Sequence, residues 1–564
     1  MKRFALSICL ALGLVMSSAL ALANDTPVSE PAAAAHTQAP IPGASVKVNS
    51  STADHSKFEE LQGPFLNGSE VTRACLSCHT EAAKQIMATK HWIWEYKDPQ
   101  TGKILGKKSM LNNFCIGDRS NEGFCQSCHV GYGWKDSNFD FQAQDKVDCL
   151  VCHHTGVGNY KKPAGLAGEV PTERTEFPPN SGKYFDPVDL ALVAQHVGKT
   201  STQTCGSCHY RGGGGDGVKH GDLDSSLDTA DRSLDVHMAS KSKGGAGFTC
   251  ATCHESDGHH ISGSRIQMTA ADPHGPRLRG ADDGRAASTC QSCHGNKPHK
   301  SEFLQINRLN QHSDKLACQA CHVPAFARGG IATKLSWDWS TAGRLNSDGK
   351  PFEIKDDDGH VIYSSKKGDF TLGENVTPDY IWFNGDVQFT TQQDIIDPTE
   401  VVQINRYMGS ADDPNARIWP VKIMQGKQPY DSVHNRLLVP HTATPDDTAF
   451  WFNFDWDKAL VAGAQATGVP FSGEYDFVQT EMIWPITHMV APSSQAVSCV
   501  ACHTSVDSRM GDLRGIYVPG RDRVPWMDQI GWAAAALALA GVLGHAGLRL
   551  VASRRRAAKS KRGE

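Results

Sequence analysis

The sequence predicts a mainly α-helical fold with irregular loops and a few β-hairpins, packed around bound groups more than around a conventional apolar core. Three observations lead there. One short motif, Cys-x-x-Cys-His, occurs eight times, apolar residues make up only 39% of 564 residues, and 53 glycines with 28 prolines break the backbone into short pieces. A formal charge of −5 gives no global attraction to nucleic acid, and none is expected as a partner.

The first motif is Cys75, Cys78 and His79, the second Cys125, Cys128 and His129, the third Cys149, Cys152 and His153, and the fourth Cys205, Cys208 and His209. The fifth is Cys250, Cys253 and His254, the sixth Cys290, Cys293 and His294, the seventh Cys318, Cys321 and His322, and the eighth Cys499, Cys502 and His503. Two thiols at this spacing can each add to one vinyl group of a haem, and the next residue brings an imidazole to the iron. Structural zinc accounts for a lone Cys-x-x-Cys but does not require a histidine after every second cysteine. Disulfides fail the same test. With 25 histidines in 564 residues, eight in eight is not chance. The expectation is a multihaem cytochrome c fold built around eight covalently bound haem c groups, with the eight motif histidines as iron ligands.

A haem that only carries electrons is usually closed by a second strong ligand. His91, His237, His260, His299, His312 and His488 lie near the motifs and are the candidates for that position. His154 is too close to His153 to reach another iron. Seven motifs fall between residues 75 and 322, leaving room only for short helices; 70–96, 187–198, 301–312 and 492–505 have helical composition and apolar spacing. Residues 323–498 lack cysteine and hold Trp337, Trp339, Trp382, Trp419, Trp451, Trp456 and Trp484. Turn signals such as "DDDGH" and "NSDGK" predict hairpins and loops over the haem cluster, within one body spanning 58–520.

The two ends predict one topology. Lys2 and Arg3, an apolar run and small residues at Ala21 and Ala23 read as an export signal over 1–23, taking Cys9 with it. Residues 24–57, rich in Ala, Pro and Ser, read as a disordered tether carrying His36 and His55. Near the other end, Gln529 to Leu548 carry no Asp, Glu, Lys or Arg, which suits a transmembrane helix over 526–550. The basic tail, 551–564, then lies in the cytoplasm and the body on the periplasmic side of the inner membrane.

Cys115 has no motif partner. After the fourth motif, "YRGGGGDGVKHGDLD" (210–224) lacks the Gly-Lys-Ser/Thr ending of a phosphate loop, and its glycines instead let backbone pass close to a flat macrocycle. Asp216 and Lys219 are spaced three apart there, as in a surface ion pair. The motif order, with "HWIWEY", "NNFCIG", "VDCLVCH" and "GGGGDGVKHGDLD", resembles the octahaem tetrathionate reductase family of multihaem c-type cytochromes over roughly residues 58–510. That resemblance implies that the second haem is the active one, with Lys219 in place of histidine on its distal side. Asn112, Cys115 and Asp216 match the family's other pocket residues, and a thiolate at Cys115 would be favoured by a nearby lysine and iron. The implied activity is reduction of tetrathionate, nitrite or hydroxylamine, with Asp216 positioning Lys219 and relaying protons, and Asn112 donating hydrogen bonds to substrate oxygen. Electrons would come from a quinol-linked membrane partner or a periplasmic cytochrome. The alternatives are a non-catalytic electron carrier and a hydroxylamine-type oxidase, whose cross-linking tyrosine is not identifiable. The C-terminal membrane helix departs from the family pattern.

Overall fold

The computed structural model describes residues 52–93, 95–97, 102–263, 287–300, 304–561 and 563. The export signal with Cys9, and the tether as far as residue 51 with His36, lie outside the described residues. The motif helices are as short as composition predicts, because cysteine and histidine are indifferent helix formers and Ser or Thr caps stand just ahead. Ser201 and Thr204 form a reciprocal capping box at the start of Thr202–His209, and the Thr289 side chain accepts from the Ser292 N–H. In the first, third, fifth, seventh and eighth motifs the histidine N–H bonds the carbonyl of the first cysteine at 2.9–3.2 Å. The second motif differs. It ends in a 3-10 turn, with the His129 N–H on the Gln126 carbonyl at 3.1 Å.

The chain is richer in strand than the mainly helical expectation. Nine strands form one sheet: β1 (Thr333–Asp338), β2 (Glu353–Lys355), β3 (Val361–Ser364), β4 (Gly368–Gly373), β5 (Asp379–Phe383), β6 (Val402–Gln403), β7 (Arg417–Asp431), β8 (Arg436–Leu437) and β9 (Tyr475–Pro485). Their order is β6-β9-β7-β1-β4-β3-β2, with β5 and β8 also paired to β7. The β7–β9 pairing is antiparallel from Val421↔Pro485 to Asp431↔Tyr475, whereas β1–β7 and β6–β9 are parallel. The signal "DDDGH" does mark a hairpin, joining β2 to β3 within this sheet, whereas "NSDGK" closes a turn between β1 and β2, which do not pair. Most of β7 is buried, so its two faces do not alternate cleanly in polarity and the strand is hard to read from period two.

This sheet backs directly onto the loop before the second motif and the loop after the fourth. The Asn113 amide donates to the Met424 carbonyl at 2.6 Å, the Trp339 indole to the Phe114 carbonyl at 3.0 Å, and the Thr333 hydroxyl to the Gly217 carbonyl at 2.6 Å. Trp337, Trp339, Phe370, Met424, Met482 and Trp484 form the core between them. A separate cluster around Val71, Trp92, Tyr132, Leu150 and Val193 holds the first and third motifs.

The C-terminal helix runs from Pro525 to Lys561, past the expected limit at 550, and its most apolar stretch is wholly exposed. Its 37 residues span about 55 Å, against about 30 Å of hydrocarbon core. By length and composition it fits a membrane anchor, with the basic residues continuing the same helix.

Candidate haem centres and active site

Seven motif histidines face a second histidine ring. The pairs are His79–His55 at 6.4 Å between ring centres, His153–His259 at 6.3 Å, His209–His91 at 6.2 Å, His254–His488 at 6.4 Å, His294–His237 at 6.0 Å, His322–His299 at 6.3 Å and His503–His312 at 6.1 Å. Two metal–nitrogen bonds of about 2.0 Å, plus roughly 1.1 Å from each nitrogen to its ring centre, require about 6.3 Å. The spacing is therefore that of two imidazoles on one iron. The outward nitrogens are also occupied as ligand histidines require. His153, His254 and His503 place Nδ1 on the carbonyls of Gly198, Ser262 and Pro519, and His259 places Nδ1 on the Gln85 side chain. No motif cysteine is in a disulfide, so the thiol pairs remain available for haem attachment. The residues present fit covalent haem.

Two distal assignments differ from the sequence reading. His55 lies in a short ordered turn, His55–Lys57, and not in a disordered tether. His259 stands where His260 was expected. Gly258 and His259 both have positive φ, +52° and +66°, in the tight turn between Ser256–Asp257 and His260–Ile261. That turn brings His259 to His153 and leaves His260 exposed on the strand.

His129 is the exception among the motif histidines: among the described residues it faces no second histidine ring. Its ring is caged by Trp92 at 5.0 Å, Trp134 at 4.6 Å and Phe139 at 5.6 Å. Its Nε2 is 3.0 Å from the Trp92 carbonyl, while Nδ1 is buried without a partner. Burial pushes its pKa down to about 3, so the ring is neutral and Nε2–H donates to that carbonyl. This reverses the use of the two nitrogens seen at His153, His254 and His503.

Lys219 lies beside Trp484, and Asn112 and Cys115 flank Phe114; the two ring centres are 6.2 Å apart, while Asp216 is turned to Ser225. The Lys219 amine is 4.8 Å from the Trp484 ring centre, and its side chain folds over Gly212, where an added Cβ would meet Lys219 Cδ at 3.0 Å. Cys115, next to Phe114, lies close enough to Cys125 for the two thiols to influence each other's ionisation. The Asn112 side-chain oxygen accepts the N–H groups of Phe114 and Cys115 at 3.1 and 2.7 Å, so it shapes the turn that presents the thiol. Burial pushes the Cys115 thiol up, assisted by Asp118 and opposed by Lys367, Lys334 and Lys107, so a favoured thiolate is not what this polypeptide provides. The Asp216 carboxylate accepts the Ser225 N–H at 3.0 Å and the Ser225 hydroxyl.

Sequence reasoning missed two residues behind this loop. Lys422, fully buried on β7, donates to the carbonyls of Val218 and Lys219 at 2.9 and 3.1 Å and to Thr333 Oγ1 at 2.5 Å. Asp222 is fully buried and holds His488 Nδ1 at 3.1 Å and the N–H groups of Thr487 and His488 at 2.7 and 2.9 Å. The repeated Asp in "GDLD" was a visible hint of the second; nothing local marks the first.

The motifs also touch one another. The sulfurs of Cys75 and Cys149, Cys128 and Cys208, Cys205 and Cys250, and Cys290 and Cys318 lie close enough to act on one another. A larger cleft of about 540 Å³ opens beside Phe124 and Phe177, but no histidine or cysteine lines it.

The family model "Cytochrome c bacterial" matches residues 334–506. No match is found among curated proteins. Among solved structures, the chain is similar to the crystal structure of octahaem cytochrome c from Shewanella oneidensis, at 40% identity over 80% of this chain and 94% of that one, with a TM-score of 0.68. Eight attachment motifs, seven histidine pairs at iron spacing and this identity lead to one conclusion: the chain belongs to the octahaem c-type cytochromes, is a redox protein and binds haem c covalently.

Proposed function

We propose that this protein is a membrane-anchored octahaem reductase of small sulfur or nitrogen substrates, namely tetrathionate, nitrite or hydroxylamine. The carrying observation is the asymmetry among the motifs: seven histidines have a partner ring at 6.0–6.4 Å, and His129 is turned into an aromatic cage. Sites closed by two histidines suit electron transfer, and a site with an open position suits chemistry. Cys125 and Cys128 would hold the second haem and Lys219 its iron. His129 would be the motif ligand of that iron, so Lys219 either yields to substrate or stays as a proton source. The haems, when bound, deliver electrons and supply the reducing iron. The Cys115 thiol, kept protonated by burial, is a hydrogen donor to bound substrate. Lys422 and Asp216 position the Lys219 loop by their bonds to Lys219, Val218 and Ser225.

The anchor and basic tail support a body on the periplasmic face of the inner membrane with the C-terminus in the cytoplasm. Electrons then come from a quinol-linked membrane partner or a periplasmic cytochrome. The test is electron paramagnetic resonance of the oxidised full-length protein, paired with viologen-driven reduction of the three substrates. One centre should differ from seven bis-histidine centres, and Lys219→Ala should abolish that signal and impair turnover while the others persist. Eight identical bis-histidine signals without turnover would instead make the protein an electron carrier.

A further inference from the structure

Cys115 lies among lysines that neither haem attachment nor the Lys219 loop uses. Lys334, on β1, is 9% exposed. Its ammonium is 3.2 Å from the Phe370 ring centre and 4.0 Å from that of Trp337. Both rings belong to the cluster against which Cys115 packs. Among the described residues, no carboxylate or hydrogen-bond acceptor meets this ammonium. The charged groups acting on it are Lys367 and Lys422, both repulsive, and the Cys115 sulfur is the one attractive neighbour. Lys367 stands 5.9 Å from the Trp337 ring centre and 5.5 Å from that of Trp451, and is the foremost cation acting on the Cys115 thiol. The other cations near the thiol loop are already engaged: Lys107 pairs with Asp118 at 3.1 Å, and Lys422 holds two carbonyls and Thr333.

Burial and then Lys367 push the Lys334 amine down to about 6, so it is largely neutral when no anion is beside it, and an anion seated there draws the proton back onto it. Aromatic faces soften the cost of that charge but do not neutralise it. We propose that Lys334 and Lys367 form an oxyanion-binding pair that seats a small sulfur or nitrogen oxyanion against the Cys115 thiol. This rests on the reading of the second motif as the centre that reduces such substrates, and it names the residues that select them by charge. A haem propionate offers the same carboxylate-like chemistry, so the test separates a bound carboxylate of the cofactor from a free oxyanion.

Full-length, haem-loaded protein in detergent is kept oxidised, so that no turnover occurs, and titrated calorimetrically with tetrathionate and separately with nitrite. Lys334→Met and Lys367→Met should each weaken binding roughly tenfold or more, as expected for loss of a charge-assisted contact. The effect should be larger for doubly charged tetrathionate, and Lys334→Arg should restore most of it. Haem midpoint potentials should stay in place, and the KM for uncharged hydroxylamine should rise far less than that for nitrite. Unchanged anion affinity with a shifted potential would assign Lys334 to a propionate and overturn the proposal. Equal losses for hydroxylamine and nitrite would make the lysine structural and overturn it too. Anion binding that depends on Lys334 in a protein without turnover would sink the reductase reading and leave this site standing.

Discussion

Removing the Lys162 ammonium should destabilise the protein by about 4 kcal/mol, because it leaves a carboxylate buried alone. Lys162 Nζ is 3.1 Å from Asp148 Oδ2, and the two side chains are 3% and 0% exposed. The amine also donates to the carbonyls of His129 and Gly131 at 2.6 and 2.9 Å. Asp148 accepts the hydroxyls of Tyr132 and Tyr160 at 2.7 and 2.6 Å and the Val151 N–H at 3.0 Å. One buried carboxylate thus ties the third motif helix to the strand of chain leaving the second motif. In Lys162→Met the carboxylate loses its cation, which costs about 3–5 kcal/mol, and two carbonyls lose a donor. At a slope of about 4 kcal/mol per molar, the guanidinium midpoint of the haem-loaded protein should fall by about 1 M. Lys162→Met/Asp148→Asn removes the stranded charge as well and should recover about half of the loss, read by circular dichroism. The second-haem spectrum should also change, since the His129 carbonyl is released. An unshifted midpoint, or a double variant weaker than the sum of the singles, would refute the account of this network.

Three further outcomes follow from the geometry. His259→Ala should open the third motif's centre to added cyanide, and His260→Ala should leave it closed, as read in the absorption spectrum. Truncation after Val524 should give a soluble, haem-loaded protein; truncation after Gly520 should be less stable, because it removes Arg521, whose guanidinium holds the Met510, Leu513 and Ile516 carbonyls at 2.5, 2.9 and 2.7 Å. Asp431 is buried, and although burial pushes its pKa up, bonds from His434 and Ser472 outweigh this and hold it below the ordinary value. Its contribution is therefore present above the unfolded carboxylate pKa of about 3.9 and is lost as pH falls below it. Asp431→Asn should lower the denaturation midpoint at neutral pH and narrow its difference from the parent in acid.

What could be read from the sequence was whatever is covalent or local. The attachment motifs announce their chemistry because spacing alone determines it, and the apolar C-terminal run shows itself by length. His91, His237, His299, His312 and His488 were found because each lies in a segment already suspected of packing near a motif. His55 was hidden by the composition around it: a run of Ala, Pro and Ser precedes a turn ordered by Asp54, whose side chain caps Ser56. The choice between His259 and His260 depends on two positive φ angles, which no residue count reveals. The sheet was misread for a related reason. Its parallel β1–β7 contact joins residues 336–338 to 425–427, so its stability resides in pairings distant along the chain. Lys422 and Lys334 are ordinary strand lysines until that register places them behind Lys219 and beside Cys115.

The seven histidine pairs also set a timetable for biogenesis. A chain made from its N-terminus emerges in sequence order. Five motif histidines have their partner upstream: His55 precedes His79, His91 precedes His209, His237 precedes His294, His299 precedes His322 and His312 precedes His503. Those centres can close as soon as haem is attached. His153 must wait for His259, and His254 must wait for His488, after the whole sheet has been delivered. During that interval His254 stands without the ring that faces it in the finished fold. The hydrogen bond from His488 to fully buried Asp222 then acts as a latch, joining the last segment of β-structure to a loop laid down long before.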